Sequence, residues 1–222
     1  MLSINSLVLL LASTVVAVPV KNLPTLPVGK DSCTTTLSLP VNGGASELPA
    51  PSGTLAYVAL GRGVQNYTCS AVGAKPVAMG AVANLYDATE YAECASTTFN
   101  NLPGFAVYQD LPSTSSASFM GLNLLGHHFF DANGTPTFAL SSVSKILYAA
   151  KTGDIAAPLN ASPGPADTGA VDWLSLDAKA TYTSVGLKEV YRVETAGGNS
   201  INPCTKAGVE SVQYAAQYWF YS

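Results

Sequence analysis

The sequence predicts an all-β domain, a sandwich or barrel of mostly antiparallel strands, behind an irregular N-terminal arm. Two observations carry that prediction. In the final segment Val212, Tyr214, Ala216, Tyr218 and Phe220 alternate with Gln213, Ala215, Gln217, Trp219 and Tyr221. A helix would scatter those aromatics around its circumference, whereas a strand sorts them onto two faces. Upstream, short β-branched and aromatic runs are separated by turn signals such as Ala132-Asn133-Gly134, Lys151-Thr-Gly-Asp154 and Ala196-Gly-Gly-Asn199. No internal repeat or heptad competes with this reading.

Taken in order, residues 1–17 hold an apolar stretch from Leu7 to Ala17 with no Lys or Arg before it. It is too short to span a bilayer, ends on a small residue, and reads as a secretory signal peptide cleaved near Ala17. No second apolar run approaches the ~20 residues of a membrane span. The mature chain is therefore expected to be secreted and extracellular. Residues 18–52 are rich in Pro, Gly, Ser and Thr and read as an irregular arm, tied down by Cys33. Residues 53–222 read as a single β domain. Its candidate strands are Leu55–Leu60, Val64–Cys69, Ala81–Tyr86, Phe105–Gln109, His127–Asp131, Thr135–Leu140, Lys145–Ala149, Val171–Leu176, Lys188–Thr195 and Val209–Tyr221. The segment Ala81–Cys94 also fits a short helix.

The first two candidates flank Gly61-Arg-Gly63, which an apolar run enters as it would enter the first turn of a dinucleotide-binding fold. That fingerprint needs a third small residue at position 66 and a helix beyond it. Position 66 is Asn, and Val64-Gln-Asn-Tyr-Thr-Cys69 is a poor helix start, so no helix dipole is available for a pyrophosphate. No nicotinamide cofactor is expected. The glycines suit a tight hairpin turn instead.

Charge is sparse, with 11% Asp, Glu, Lys and Arg and a net charge of −4, and no basic cluster exists. Nucleic acid is excluded as a partner on that ground. Solubility would then rest on Ser, Thr, Asn and glycans, for which Asn66, Asn133 and Asn160 stand in acceptor triplets. If Asn66 carries a glycan it faces outward, leaving Gln65, Tyr67 and Cys69 to face inward. Cys33, Cys69, Cys94 and Cys204 form an even set with no C-x-x-C pair. In an oxidising compartment they are expected to make two disulfides, with three connectivities open, and zinc is the weaker reading.

Several motifs occur here in order: Gly63-Val-Gln-x-Tyr-x-Cys69, Ala83-x-Leu-Tyr-Asp87, Gly126-x-His128-Phe129, Val171-x-Trp-Leu-x-Leu176, Tyr191-Arg-Val-x-Thr-x-Gly-Gly198, Pro203-Cys204 and Val212-x-Tyr-x-Ala-x-Tyr-Trp-Phe-Tyr221. As a set, over roughly residues 53–221, they resemble a family of exported proteins of unknown function, common in fungi and also found in bacteria. Some fungal members carry the label "malate dehydrogenase". The resemblance implies a compact domain and a Cys69–Cys204 pairing, which leaves Cys33 for Cys94. It implies no activity, and the residues around Gly61 give no support to a dehydrogenase.

Chemistry has two candidate seats. The only histidines lie in Gly126-His127-His128-Phe129-Phe130-Asp131. On a strand His127 and Asp131 share a face, and a carboxylate that holds an imidazole tautomer supports a general base or a metal ligand. A third group would have to come from Asp87, Glu189 or Glu194, so no metal site and no cofactor are assigned. Elbow, zincin and phosphate-loop motifs are missing. The aromatics are the other seat: Trp219, with Trp173 and Tyr221, could stack a sugar ring, and Trp219 lies opposite Tyr218 and Phe220, beside Gln213 and Gln217. Arg192 reads as packing or pairing with a carboxylate rather than gripping an anion. The resulting expectation is a secreted, glycosylated binding or structural module associated with the cell wall. Its expected partner is a polysaccharide or a small extracellular ligand. The alternative is a secreted hydrolase or metal-dependent enzyme built on His127, His128 and Asp131.

Overall fold

The computed structural model describes Cys33 and residues 36–44 and 46–222. The signal-peptide reading for residues 1–17 and the first part of the arm lie outside the described residues. Nine strands follow: β1 (Leu55–Cys69), β2 (Val77–Asp87), β3 (Ser118–Phe119), β4 (Leu122–Phe130), β5 (Pro136–Leu140), β6 (Lys145–Ile155), β7 (Trp173–Ala178), β8 (Glu189–Gly197) and β9 (Gly208–Tyr221). Two helices, α1 (Thr89–Asn100) and α2 (Leu102–Ala106), sit between β2 and β3.

The fold is all-β, and of the two architectures the sequence allows it is the barrel. The strands run β1-β9-β8-β7-β6-β5-β4-β2 around the wall, every pairing antiparallel, and β2 pairs with both β1 and β4 to close it. β3 is an extra strand that pairs only with β4. Closure removes the free edges that would otherwise invite pairing with another chain.

Two apolar cores result, one on each side of the wall. Tyr214, Ala216, Tyr218 and Phe220 of β9 point inward, where they meet Leu125, Phe138, Leu147 and Leu176. Ala215, Trp219 and Tyr221 point outward and are covered by Tyr91, Ala92 and Phe99 of α1, by Leu102 and Ala106 of α2, and by Leu37, Leu39 and Leu48 of the arm. The period-2 alternation read from the sequence is thus the barrel's inside and outside. A buried guanidinium fastens the helical cover: Arg62 donates to the carbonyl oxygens of Val107 and Gln109 and of Tyr214. Burial lowers its pKa to about 10.

Three expectations are corrected here. Gly61-Arg-Gly63 is no hairpin turn, because β1 runs unbroken for 15 residues and pairs along its length with β9. The glycines are needed for close approach instead: a Cβ on Gly61 would lie 2.4 Å from the Tyr218 ring, and one on Gly63 2.0 Å from Val82 O. Phe105–Gln109 is the end of α2 and a turn, since Leu102-Pro103 starts a helix with proline in its first turn, where the missing N–H costs nothing. Lys151-Thr-Gly-Asp154 lies inside β6, its irregularity absorbed as a shift in pairing with β7. The Ala81–Cys94 ambiguity resolves into strand to Asp87 and helix from Thr89. There Asp87 Oδ1 accepts from both the N–H and the hydroxyl of Thr89.

Because its close neighbours at 2.0–2.6 Å include the backbone of Val82 and Ala83, Gly63→Ala cannot be accommodated by a rotamer change. It is expected to cost about 3 kcal/mol, read as a lower midpoint in denaturant unfolding with an unchanged slope.

Candidate functional site

One end of the barrel is not filled by side chains. It holds a cavity of about 570 Å³ to whose wall every one of the eight barrel strands contributes. Eight strands enclose just enough space for packed side chains or one small ligand. The wall is mainly apolar, with Phe130, Phe138, Leu174 and Leu176, and its charged residues are Lys151, Asp154, Asp172 and Arg192. That combination is typical of a small-molecule site.

Arg192 is the dominant polar group. On β8 it faces inward between the outward Tyr191 and Val193, and it is 8% exposed. Its Nε and Nη2 donate to the Asp172 carbonyl at 3.2 and 2.8 Å, and its Nη1 donates to the Gln65 side-chain oxygen at 2.8 Å. A guanidinium has five N–H donors. Three are engaged by these oxygens and the Tyr218 hydroxyl also lies beside the guanidinium, so at most two remain for a ligand. Among the described residues the ion pair is Lys151–Asp154, and no carboxylate pairs with Arg192. Of the two expectations for this residue it is the packing that holds: the guanidinium is buried in the wall and bonded to neutral oxygens, with the Asp172 carboxyl close enough to feel its charge but not in contact with it. A buried charge without a counter-ion is costly, and an arriving anion would relieve that cost.

His128 is the second polar group. Its ring is stacked on Phe138 with centroids 4.2 Å apart, and Nδ1 lies 3.0 Å from Thr137 O. A carbonyl can only accept, so Nδ1 carries the proton and Nε2 presents a lone pair. Burial lowers the pKa to about 4, which keeps the ring neutral. At the rim, burial first and then the adjacent Asp154 carboxyl push the Asp172 carboxyl upward. Tyr67, also in the wall, donates its hydroxyl to Gly198 O at 2.7 Å.

The histidine constellation does not assemble. His127 points to the other side of β4, where Nδ1 bonds Asn84 Oδ1 at 3.1 Å. Asp131 is occupied by the β4–β5 turn: Oδ1 accepts from the N–H groups of Asn133 and Thr135, and Oδ2 from the Tyr182 hydroxyl. The Thr135 N–H, first among these donors, lowers its pKa. His127 and His128 thus lie on opposite faces, and neither bonds Asp131. Asp87 accepts from Thr89, Glu189 accepts from Ser52, and Glu194 lies in a different cavity, so no group of three ligands forms among the described residues.

The aromatic platform is corrected too. Trp219, Trp173 and Tyr221 are 2, 1 and 5% exposed. Trp219 does face away from Tyr218 and Phe220, but helices and arm cover that face, and its Nε1 donates to Gln217 Oε1 at 2.8 Å. The disulfides are Cys69–Cys204 and Cys33–Cys94, the pairing that the family resemblance implies. Gln65 and Tyr67 line the cavity, while Asn66 Oδ1 accepts from Ser211 on the exposed side.

Sequence reasoning passed over the barrel mouth because its groups come from strands far apart in the chain. One signal was available: Arg192 is the lone cation of β8, set between Tyr191 and Val193. No curated protein and no solved structure matches the chain. A family model described as "Protein of unknown function (DUF3455)" matches residues 49–222. With 174 of its 222 residues matched, the chain belongs to this family of proteins of unknown function.

Proposed function

We propose that this protein is an exported binding module that takes a small organic anion into the mouth of its barrel. The observation that carries the reading is Arg192, a guanidinium 8% exposed, with no carboxylate in salt-bridge contact among the described residues, facing a cavity of about 570 Å³. A carboxylate matches the planar fork of a guanidinium, so the anionic group of the ligand belongs there. The apolar body of the ligand then lies along the stacked His128–Phe138 pair, and a hydroxyl or amide on it can donate to His128 Nε2. Export is favoured by the apolar stretch ending at Ala17 and by two disulfides, which persist in oxidising compartments. The burial of all three aromatics first considered for sugar stacking turns the reading from cell-wall polysaccharide toward a small ligand.

The test is a melting-temperature and calorimetry panel with benzoate and alicyclic monocarboxylates on one side and neutral cell-wall oligosaccharides on the other. Saturating carboxylate at a hundred times its dissociation constant is expected to add about 2.7 kcal/mol of stability. Arg192→Met should weaken that binding at least about tenfold, and Arg192→Lys, which keeps charge but loses the fork, by less. Equal binding by Arg192→Met, or a response to neutral oligosaccharides alone, would overturn the assignment.

A further inference from the structure

A second, smaller cavity of about 160 Å³ lies outside the barrel, between the α1–α2 junction, the segment following β6, and β8. Its wall contains Glu194, Trp173 and Asn160. Glu194 is unusual in three respects. It sits where the pairing of β8 with β9 slips between Val193 and Ala196. Its φ is +46°, a left-handed conformation that a glutamate rarely adopts and that costs free energy to hold. Its carboxyl is half-buried with no donor or cation to stabilise the charge, so burial alone raises its pKa to about 7. Trp173 Nε1, in the same wall, is buried and makes no hydrogen bond. Glu194 and Trp173 thus line one cavity, and among the described residues nothing donates to the Glu194 carboxyl or accepts from the buried Trp173 Nε1.

Asn160 opens onto this cavity from a turn, is exposed, and heads the acceptor triplet Asn160-Ala-Ser162. The other two acceptor side chains are engaged: Asn133 Nδ2 donates to the Tyr182 hydroxyl, and Asn66 Oδ1 accepts from Ser211. We propose that Asn160 is glycosylated and that its first N-acetylglucosamine folds back into this cavity, donating hydroxyl or acetamido N–H hydrogens to the Glu194 carboxylate. The sugar supplies what Glu194 lacks, since its hydroxyls and acetamido N–H are hydrogen-bond donors. A donor that arrives covalently during export explains a carboxylate with no partner among the described residues. The docked sugar also covers the outer core above Trp173. The proposal rests on the export reading given above.

The experiment uses the full protein secreted from a eukaryotic host. Glycopeptide mass spectrometry should find Asn160 occupied. Trimming with an endoglycosidase that leaves one N-acetylglucosamine should leave the melting temperature unchanged. Asn160→Gln should lower it by about 2–4 °C relative to the trimmed protein, the scale of one net polar contact in a domain of this size. In Glu194→Ala the trimmed and Asn160→Gln forms should melt together. An empty Asn160 beside an occupied Asn66 or Asn133 overturns the docking and leaves export standing, whereas three empty acceptors overturn both. An occupied Asn160 whose loss changes nothing, or whose effect survives Glu194→Ala, also overturns the docking.

Discussion

Replacing Cys69 and Cys204 together by alanine is expected to lower stability by roughly 4–5 kcal/mol. The bond joins residues 135 apart in sequence, so it removes much of the freedom of the unfolded chain. It also pins the approach to β9 against the β1–β2 turn, where Gly73 N–H donates to Cys204 O and Cys204 N–H to Ala74 O, each at 2.8 Å. β9 is the strand between β1 and β8, and losing the pin loosens its first residues. The change should appear as a fall in melting temperature of roughly 8–20 °C, taking 2–4 °C per kcal/mol for a domain of this size. The double substitution matters, because a single one leaves a thiol free to exchange. A loss below about 1 kcal/mol would mean that the unfolded chain is already compact enough to gain nothing from the link.

Trp219→Ala is the second large effect, and it separates structure from binding. The indole is 2% exposed beneath α1 and the arm, and its Nε1 donates to Gln217 Oε1. Gln217 Nε2 in turn donates to Phe99 O at 3.0 Å, so the pair ties the helical cover to the wall. Truncation leaves a large void and an unmet amide oxygen, for an expected loss of about 3–5 kcal/mol. Trp219 lies on the opposite side of the wall from Arg192. Folded Trp219→Ala protein should therefore bind monocarboxylates with wild-type affinity in calorimetry below its melting range. Wild-type stability combined with lost ligand response would instead make the indole a contact surface, contrary to its burial.

The candidate strands were legible where the chain itself carries the pattern. β9 showed its two faces through strict alternation, and the turn between β4 and β5 was marked by Asn133-Gly134, with Gly134 at φ +72°. β4 starts earlier than read, at Leu122, and Ala196 and Gly197 of the turn read after β8 belong to that strand. The errors share a cause. Gly61 and Gly63 look like turn residues in isolation, yet their small size is demanded by Tyr218 and by the backbone of Val82, which reach them only across the sheet. Phe105–Gln109 is aromatic enough for a strand but follows a proline-started helical turn, and local propensity yields to that geometry.

By itself the sequence determined the all-β class, the inward and outward sets of β9, and an even cysteine set, because these follow from residue type and a period of two. Only the tertiary structure decided that the sheet closes, that the outward aromatics of β9 lie under helices and arm, and that Arg192 faces the cavity. Those outcomes depend on register between distant segments, such as Leu55 opposite Tyr221 or Gln65 beside Arg192, and side-chain pattern along one strand does not encode the partner that faces it.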